Sequence, residues 1–226
     1  MSLTYTTYVA ELRLLAVAAD SDTNFTNNLP SVIDYAEQRI YRELQLLSTI
    51  VRDSSANAAA SNRNFTLPTS LGRFVTVQSV NVITPQGEDV TSGTRNALLP
   101  TSREFIDFTW PVNDADSATT VPQYFAMITD QTLIFGPPPG DTFNVEIVGT
   151  IRPTPLSASN TTTFLSLYLP DLLLAASMIQ ISGYMRNFGS QADDPKMAQS
   201  WEQQYQTLFA SANAEELRKK FGSMSA

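Results

Sequence analysis

The sequence predicts an α+β protein: a four-helix bundle with an antiparallel β-domain inserted between helices 2 and 3. Three observations lead there. Apolar residues recur at spacings of three and four up to about residue 52, and again beyond about residue 161. Between Phe65 and Arg152 the apolar period falls to two. Proline and glycine punctuate that middle stretch as they do strand connections. The expected layout is a helical bundle of residues 1–52 plus 161–226 and a β-domain over 53–160.

The first helix runs from Thr4 to about Ala19, with Tyr5, Tyr8, Val9, Leu12, Leu15, Ala16 and Ala19 in register and a threonine cap. The second starts at Asn28 or Ser31, with Pro30 in its first turn, and ends near Arg52. Ile33, Ala36, Ile40, Leu44 and Leu47 form its stripe. Asp53–Asn64, "DSSANAAASNRN", is polar and of low complexity and reads as a loop or arm.

In "RFVTVQSVNVIT" apolar residues fall in both alternating sets, so a bulge or a change of buried face is expected. Pro85–Glu88 is a turn, and "TSREFIDFTW" is a short helix with Ser102 ahead of it. "PQYFAMITD", "QTLIFG" and "DTFNVEIVGTI" are strands, the first two joined by a hairpin at Asp130-Gln131. A third helix opens at Pro170-Asp171 and stops before Gly189. It is apolar all round, which calls for burial on most sides, with Gly183 serving close packing. The last helix, capped by Asp194 with Pro195 in first position, carries Met197, Trp201, Tyr205, Leu208 and Ala212 and runs towards Lys220.

Composition removes whole classes of chemistry. The 226 residues include no cysteine and no histidine, so disulfides, thiolate sites and Ser-His-Asp catalysis are impossible. The net charge is −8, from 14 basic and 22 acidic residues. A surface of that sign does not attract nucleic acid or anionic lipid. The most apolar stretch, Leu172–Ile179, is far shorter than the ~20 residues of a membrane span. Asp20/Asp22, Asp193/Asp194 and Glu215/Glu216 lack calcium-loop spacing, and Asp193/Asp194 reads as helix capping. No metal, catalytic residue or cofactor is implied.

Gly136-Pro137-Pro138-Pro139-Gly140 has no free N–H groups to cradle a phosphate. It reads as a stiff strand-to-strand connection, with a short polyproline II ligand surface as the alternative. The basic cluster at the C-terminus, "EELRKKF", has no apolar stripe of its own. Glu215, Glu216, Leu217, Arg218, Lys219, Lys220 and Phe221 therefore read as a docking segment. Two other readings stay open. A carbohydrate-binding β-module would display Tyr124, Phe125, Phe135 and Phe143 on one face, and a histidine-free glycosidase would pair two carboxylates.

The order of "YAEQRIYREL" (Tyr35–Leu44), "FTLPTSLGRFVTVQSVNV" (Phe65–Val82), "PQYFAMITDQTLIFGPPP" (Pro122–Pro139), "VEIVGTIRPTPLS" (Val145–Ser157), "LYLPDLLLAASMIQISGYMRN" and "MAQSWEQQYQTLF" (up to Phe209) resembles the head-to-tail adaptor, or connector, proteins of tailed bacteriophages, those of short-tailed phages in particular. Other neck and tail-completion proteins are a close variant. The resemblance implies a virion structural protein and not an enzyme. It implies a homo-oligomeric ring, of twelve copies, beneath the portal protein. Such a ring extends the DNA channel, lets DNA pass without specific binding and docks a tail nozzle or tail tube protein. It also implies a place at the head–tail interface of the virion, with assembly in the host cytoplasm and no membrane. The resemblance further implies that the C-terminal segment meets the portal, and that Asn57, Asn62 and Arg63 of the polar arm, with Pro137, Pro138 and Pro139 at a rim of the β-domain, meet a neighbouring subunit or a tail protein.

Overall fold

The computed structural model describes residues 2–115, 117–185 and 195–222, and side chains within those ranges outside 184–197. The predicted cap at Asp194 and stop at Gly189 lie outside the described residues. Among the described residues the chain is mixed α+β, with six α-helices and two four-stranded sheets. It divides into a helical unit, residues 1–48 and 154–226, and a β unit, residues 49–153.

The helical unit opens with α1 (Tyr5–Ala16). Thr4 and Thr7 cap it reciprocally, and Tyr8, Leu12 and Ala16 bury one face. Helix α2 (Thr23–Glu43) starts earlier than the sequence suggested, with Asp22 accepting the Phe25 N–H at 3.0 Å. Pro30 thus lies inside the helix. The earlier start adds Phe25 and Leu29 to the buried stripe of Val32, Ile33, Ala36 and Ile40. Burying each large apolar side chain is worth roughly 1.5–3 kcal/mol, comparable to the cost of an interior proline.

A short helix not foreseen in the sequence, α4 (Phe164–Tyr168), is capped by Thr163. Helix α5 (Pro170–Met185) packs against α1, α2, α4 and against α6 (Pro195–Phe221). That central position explains its lack of a polar face. Gly183, expected at a close contact, is exposed, and a side chain there would meet no described atom.

In the β unit, the first sheet has the order β1-β8-β3-β4, where β1 is Ile50–Ala58, β8 Phe143–Arg152, β3 Arg73–Thr84 and β4 Thr94–Ala97. The second has the order β2-β7-β6-β5, with β2 Asn64–Thr66, β7 Thr132–Gly136, β6 Tyr124–Thr129 and β5 Leu99–Pro100. All pairings are antiparallel except the short parallel β5–β6 contact, a departure from the purely antiparallel expectation.

Residues 53–64, expected as a polar arm, are largely strand. β1 pairs with β8 from Ile50↔Thr150 to Ala58↔Phe143. Ladder bonds come from the backbone, so an edge strand needs little apolar pattern. The register of β3 against β8 shifts twice, after Phe74 and after Val77, which accounts for the mixed alternation there.

Phe74, Val80, Val82, Val145, Ile147 and Ile151 of the first sheet share one core with Phe65, Phe125, Leu133 and Phe135 of the second. The two sheets therefore pack face to face. On the outer side of the second sheet lies α3 (Arg103–Thr109), capped by Ser102 as expected, with Ile106 set against Ala126 and Ile134. The β unit is thus layered: first sheet, core, second sheet, α3.

Candidate interaction surfaces

Helix α6 is clamped to α2 by Arg39. Its guanidinium donates two bonds to the Glu202 carboxylate at 2.8 and 2.7 Å and one to Glu43 at 3.1 Å, and lies 4.1 Å over the Tyr205 ring. The Tyr205 hydroxyl donates to Glu43 at 2.6 Å. The Arg39 bonds hold Glu202 down to about 2, well below the usual carboxylate range.

The end of α6 is less free than the sequence implied. Ala212 and Glu216 are buried. The Glu216 carboxylate accepts the Leu47 N–H at 2.9 Å and a bond from Lys219 at 2.7 Å. Burial pushes its pKa up, but these donors outweigh burial and hold it below the ordinary value. Lys219 also pairs with Glu215 at 2.8 Å and sits 5.6 Å from the Phe164 ring centre. Lys220 donates to the Gln45 carbonyl at 2.7 Å. Four of the seven predicted docking residues therefore engage partners within the helical unit. Leu217, Arg218 and Phe221 face solvent, with Leu217 and Phe221 exposed by 46% and 59%.

The predicted contact residues of the β unit separate in the same way. Asn57 and Asn62 are exposed. Arg63 is mostly covered and donates to the Trp110 carbonyl, to Asp107 at 3.3 Å and to Asn113 at 3.0 Å, pinning the end of α3. Pro138 and Pro139 are buried and Pro137 half-buried. The Pro139 carbonyl accepts the Ser61 N–H at 2.8 Å, and Gly140 N–H donates to the Thr120 carbonyl at 2.8 Å. A side chain on Gly140 would strike the Ser117 carbonyl, and one on Gly136 would strike the Trp110 ring. The stretch is a closed joint rather than an open rim loop. Prolines can be buried there because they carry no N–H that would be left unmet.

Of the four candidate sugar-stacking aromatics, Phe125, Phe135 and Phe143 lie in the core. Tyr124 joins Phe105 and Trp110, ring centres 5.6 and 5.9 Å away, in a cluster outside the second sheet.

Two surfaces emerge only from the register. On the α3 side, Phe108 is 89% exposed, and Phe105 and Val112 are exposed as well. On the outer side of the first sheet, Glu146 is 0% exposed. It accepts bonds from Asn81 at 3.0 Å and from Arg95 at 3.1 to 3.3 Å, and pairs with Arg52 at 3.6 Å. Burial pushes the Glu146 pKa up, and these partners more than reverse it. Solvent meets the two guanidiniums and not the carboxylate between them. In sequence these residues lie 43 or more positions apart, so no local signal joins them.

No group of three or more His, Cys, Asp or Glu able to hold a metal ion occurs among the described residues. No helix among them is long and apolar enough to cross a membrane. Exposed faces carried on rigid, internally bonded elements are the equipment of a protein that works by contact. The model of the SU10 adaptor protein family matches residues 3–224, nearly the whole chain, and the chain belongs to that family. An adaptor family is structural and not enzymatic. Comparison with curated proteins gives no match.

Proposed function

We propose that this chain is a head-to-tail adaptor of a short-tailed bacteriophage, a bundle with an inserted β-domain that forms a ring, of twelve copies, beneath the portal protein. The ring extends the DNA channel and carries the tail nozzle or tail tube protein. Its place is the head–tail interface of the virion, reached by assembly in the host cytoplasm. The observation that carries this reading is the family match over residues 3–224. The exposed end of α6 supports portal docking: Leu217 and Phe221 stand four apart, one helical turn, with Arg218 beside them. An apolar pair flanked by a cation suits a hot spot in a protein interface.

The structure also selects the variant. Truncation before Glu216 would remove the acceptor of the Leu47 N–H and disturb the helical unit itself. The double substitution Leu217→Ala/Phe221→Ala trims two half-exposed side chains and leaves the Glu216 bonds in place. It is expected to leave the circular dichroism and unfolding midpoint unchanged and to cut capture by purified portal protein of the same phage at least about tenfold, as loss of a hot spot would. Unchanged capture sinks the docking assignment. Electron micrographs of chain and portal mixed together test the ring directly.

A further inference from the structure

We infer that neighbouring copies in the ring join through their β units: the arginine face of one first sheet receives the α3 face of the next copy. The inference rests on the ring reading above and names its sideways contact.

The two faces are the opposite outer layers of one unit. Register places Arg52, Val148, Thr150, Thr76 and Arg152 on the outer side of the first sheet, beside Arg95. Glu146 neutralises one charge but is hidden, and it holds the Arg95 guanidinium in place from beneath. A fixed guanidinium loses less freedom on binding a carboxylate than a free one. Arg52 meets Glu146 only at 3.6 Å, which leaves its donors for another acceptor. Arg73, on the same face, is balanced by Asp130. Glu88 and Asp89 rim the far end, near Asn144, six strand positions from Thr150, and bond there to Ser92 and Thr91 of their own loop. The half around Val148–Arg152 is therefore cationic.

The α3 face is its complement. Asp107 is matched by Arg63 and Arg103, while Glu104 and Asp114 are exposed and in no ion pair among the described residues. Beside them stand Phe105 and Phe108, whose rings suit a guanidinium above them. Cations on one outer layer and carboxylates with rings on the opposite layer cannot meet within one chain. They meet between copies, head to tail, which is the contact that closes into a ring. The cations do not suit nucleic acid as well, because the chain as a whole is at −8 and repels a polyanion.

The absence of cysteine makes the test direct. Full-length chains carrying Thr150→Cys or Phe108→Cys are mixed and treated with a short bismaleimide. A 150–108 heterodimer is expected in excess of either homodimer. Adding Arg52→Glu to the first chain should lower its yield about tenfold, and Glu104→Arg in the second should restore part of it. Thr76→Glu, on the same face and in no ion pair, must lower it too, which covers misfolding of Arg52→Glu. Homodimers in excess, or a heterodimer indifferent to these charges, overturn the inference. So does a gel shift of duplex DNA that Arg52→Glu abolishes. Oligomers by sedimentation without the 150–108 product overturn the face assignment and leave the ring standing. Monomers at every concentration with no cross-link overturn the inference and leave the ring reading to the micrographs of chain mixed with portal.

Discussion

Replacing Glu37 by glutamine should make the stability of the helical unit nearly independent of pH between about 5 and 7.5. Glu37 lies on the buried stripe of α2 and is 2% exposed. Its carboxylate accepts the Leu156 N–H at 3.1 Å and the Thr163 hydroxyl at 3.3 Å, which ties the returning chain to α2. Burial pushes its pKa from 4.5 up to about 7, against the pull of those two donors. Between these values the folded chain keeps a proton that the unfolded chain has released. Its contribution is therefore fully present below 4.5 and lost as pH rises through about 7. At about 1.4 kcal/mol per pH unit between those values, the whole loss is about 3.5 kcal/mol, most of it between pH ~5 and ~8. Histidine would obscure this window, and the chain has none. The depressed carboxylates Asp53, Glu146, Glu202 and Glu216 act below it. Glutamine keeps an acceptor for Leu156 and carries no charge, so Glu37→Gln should match the wild type at pH ~5 and exceed it by up to about 3 kcal/mol at pH ~8. Urea unfolding followed by far-ultraviolet circular dichroism reads the helices. A wild-type stability that is level or rises from pH ~5 to ~7.5, or a fall that persists in Glu37→Gln, would refute the reasoning.

Arg39→Ala should cost about 2–3 kcal/mol at pH ~7, a figure held down because Glu202 is partly exposed and can rehydrate. The Glu202 pKa is lowered, so its share is present above 4.5, and the gap between variant and wild type should narrow as pH falls towards about 2. Two glycine-to-alanine changes should move stability in opposite directions. Gly149→Ala puts a methyl against the Thr76 carbonyl and the Phe74 ring and should cost about 2 kcal/mol, whereas Gly183→Ala on the exposed side of α5 should gain up to about 1 kcal/mol. Denaturant midpoints of the two variants check both signs.

Much of the chain was legible because its signals are local. The Ser102 cap, the Asp130-Gln131 hairpin and the apolar run of α5 depend on neighbours a few residues away, and each sits where the pattern placed it; the threonine cap of α1, left open among three threonines, falls on Thr4. The all-round apolar character of α5 also announced its central position. Composition by itself excluded cysteine and histidine chemistry.

Tertiary structure decided what depends on distant partners. Helix α2 ends at Glu43, well short of Arg52, and Leu47, predicted to extend its stripe, gives its N–H to Glu216 across 169 positions. The polar stretch after residue 50 became a strand because the β8 backbone was there to pair with it. The proline joint was buried by the segments around Ser61 and Thr120. Arg52, Arg95 and Glu146 became one face through strand register alone. Helix caps and periodicity are set by short-range sterics and hydrogen bonds, which the sequence states directly. Which polar groups remain free to meet a partner depends on long-range pairing, and only the folded chain settles that.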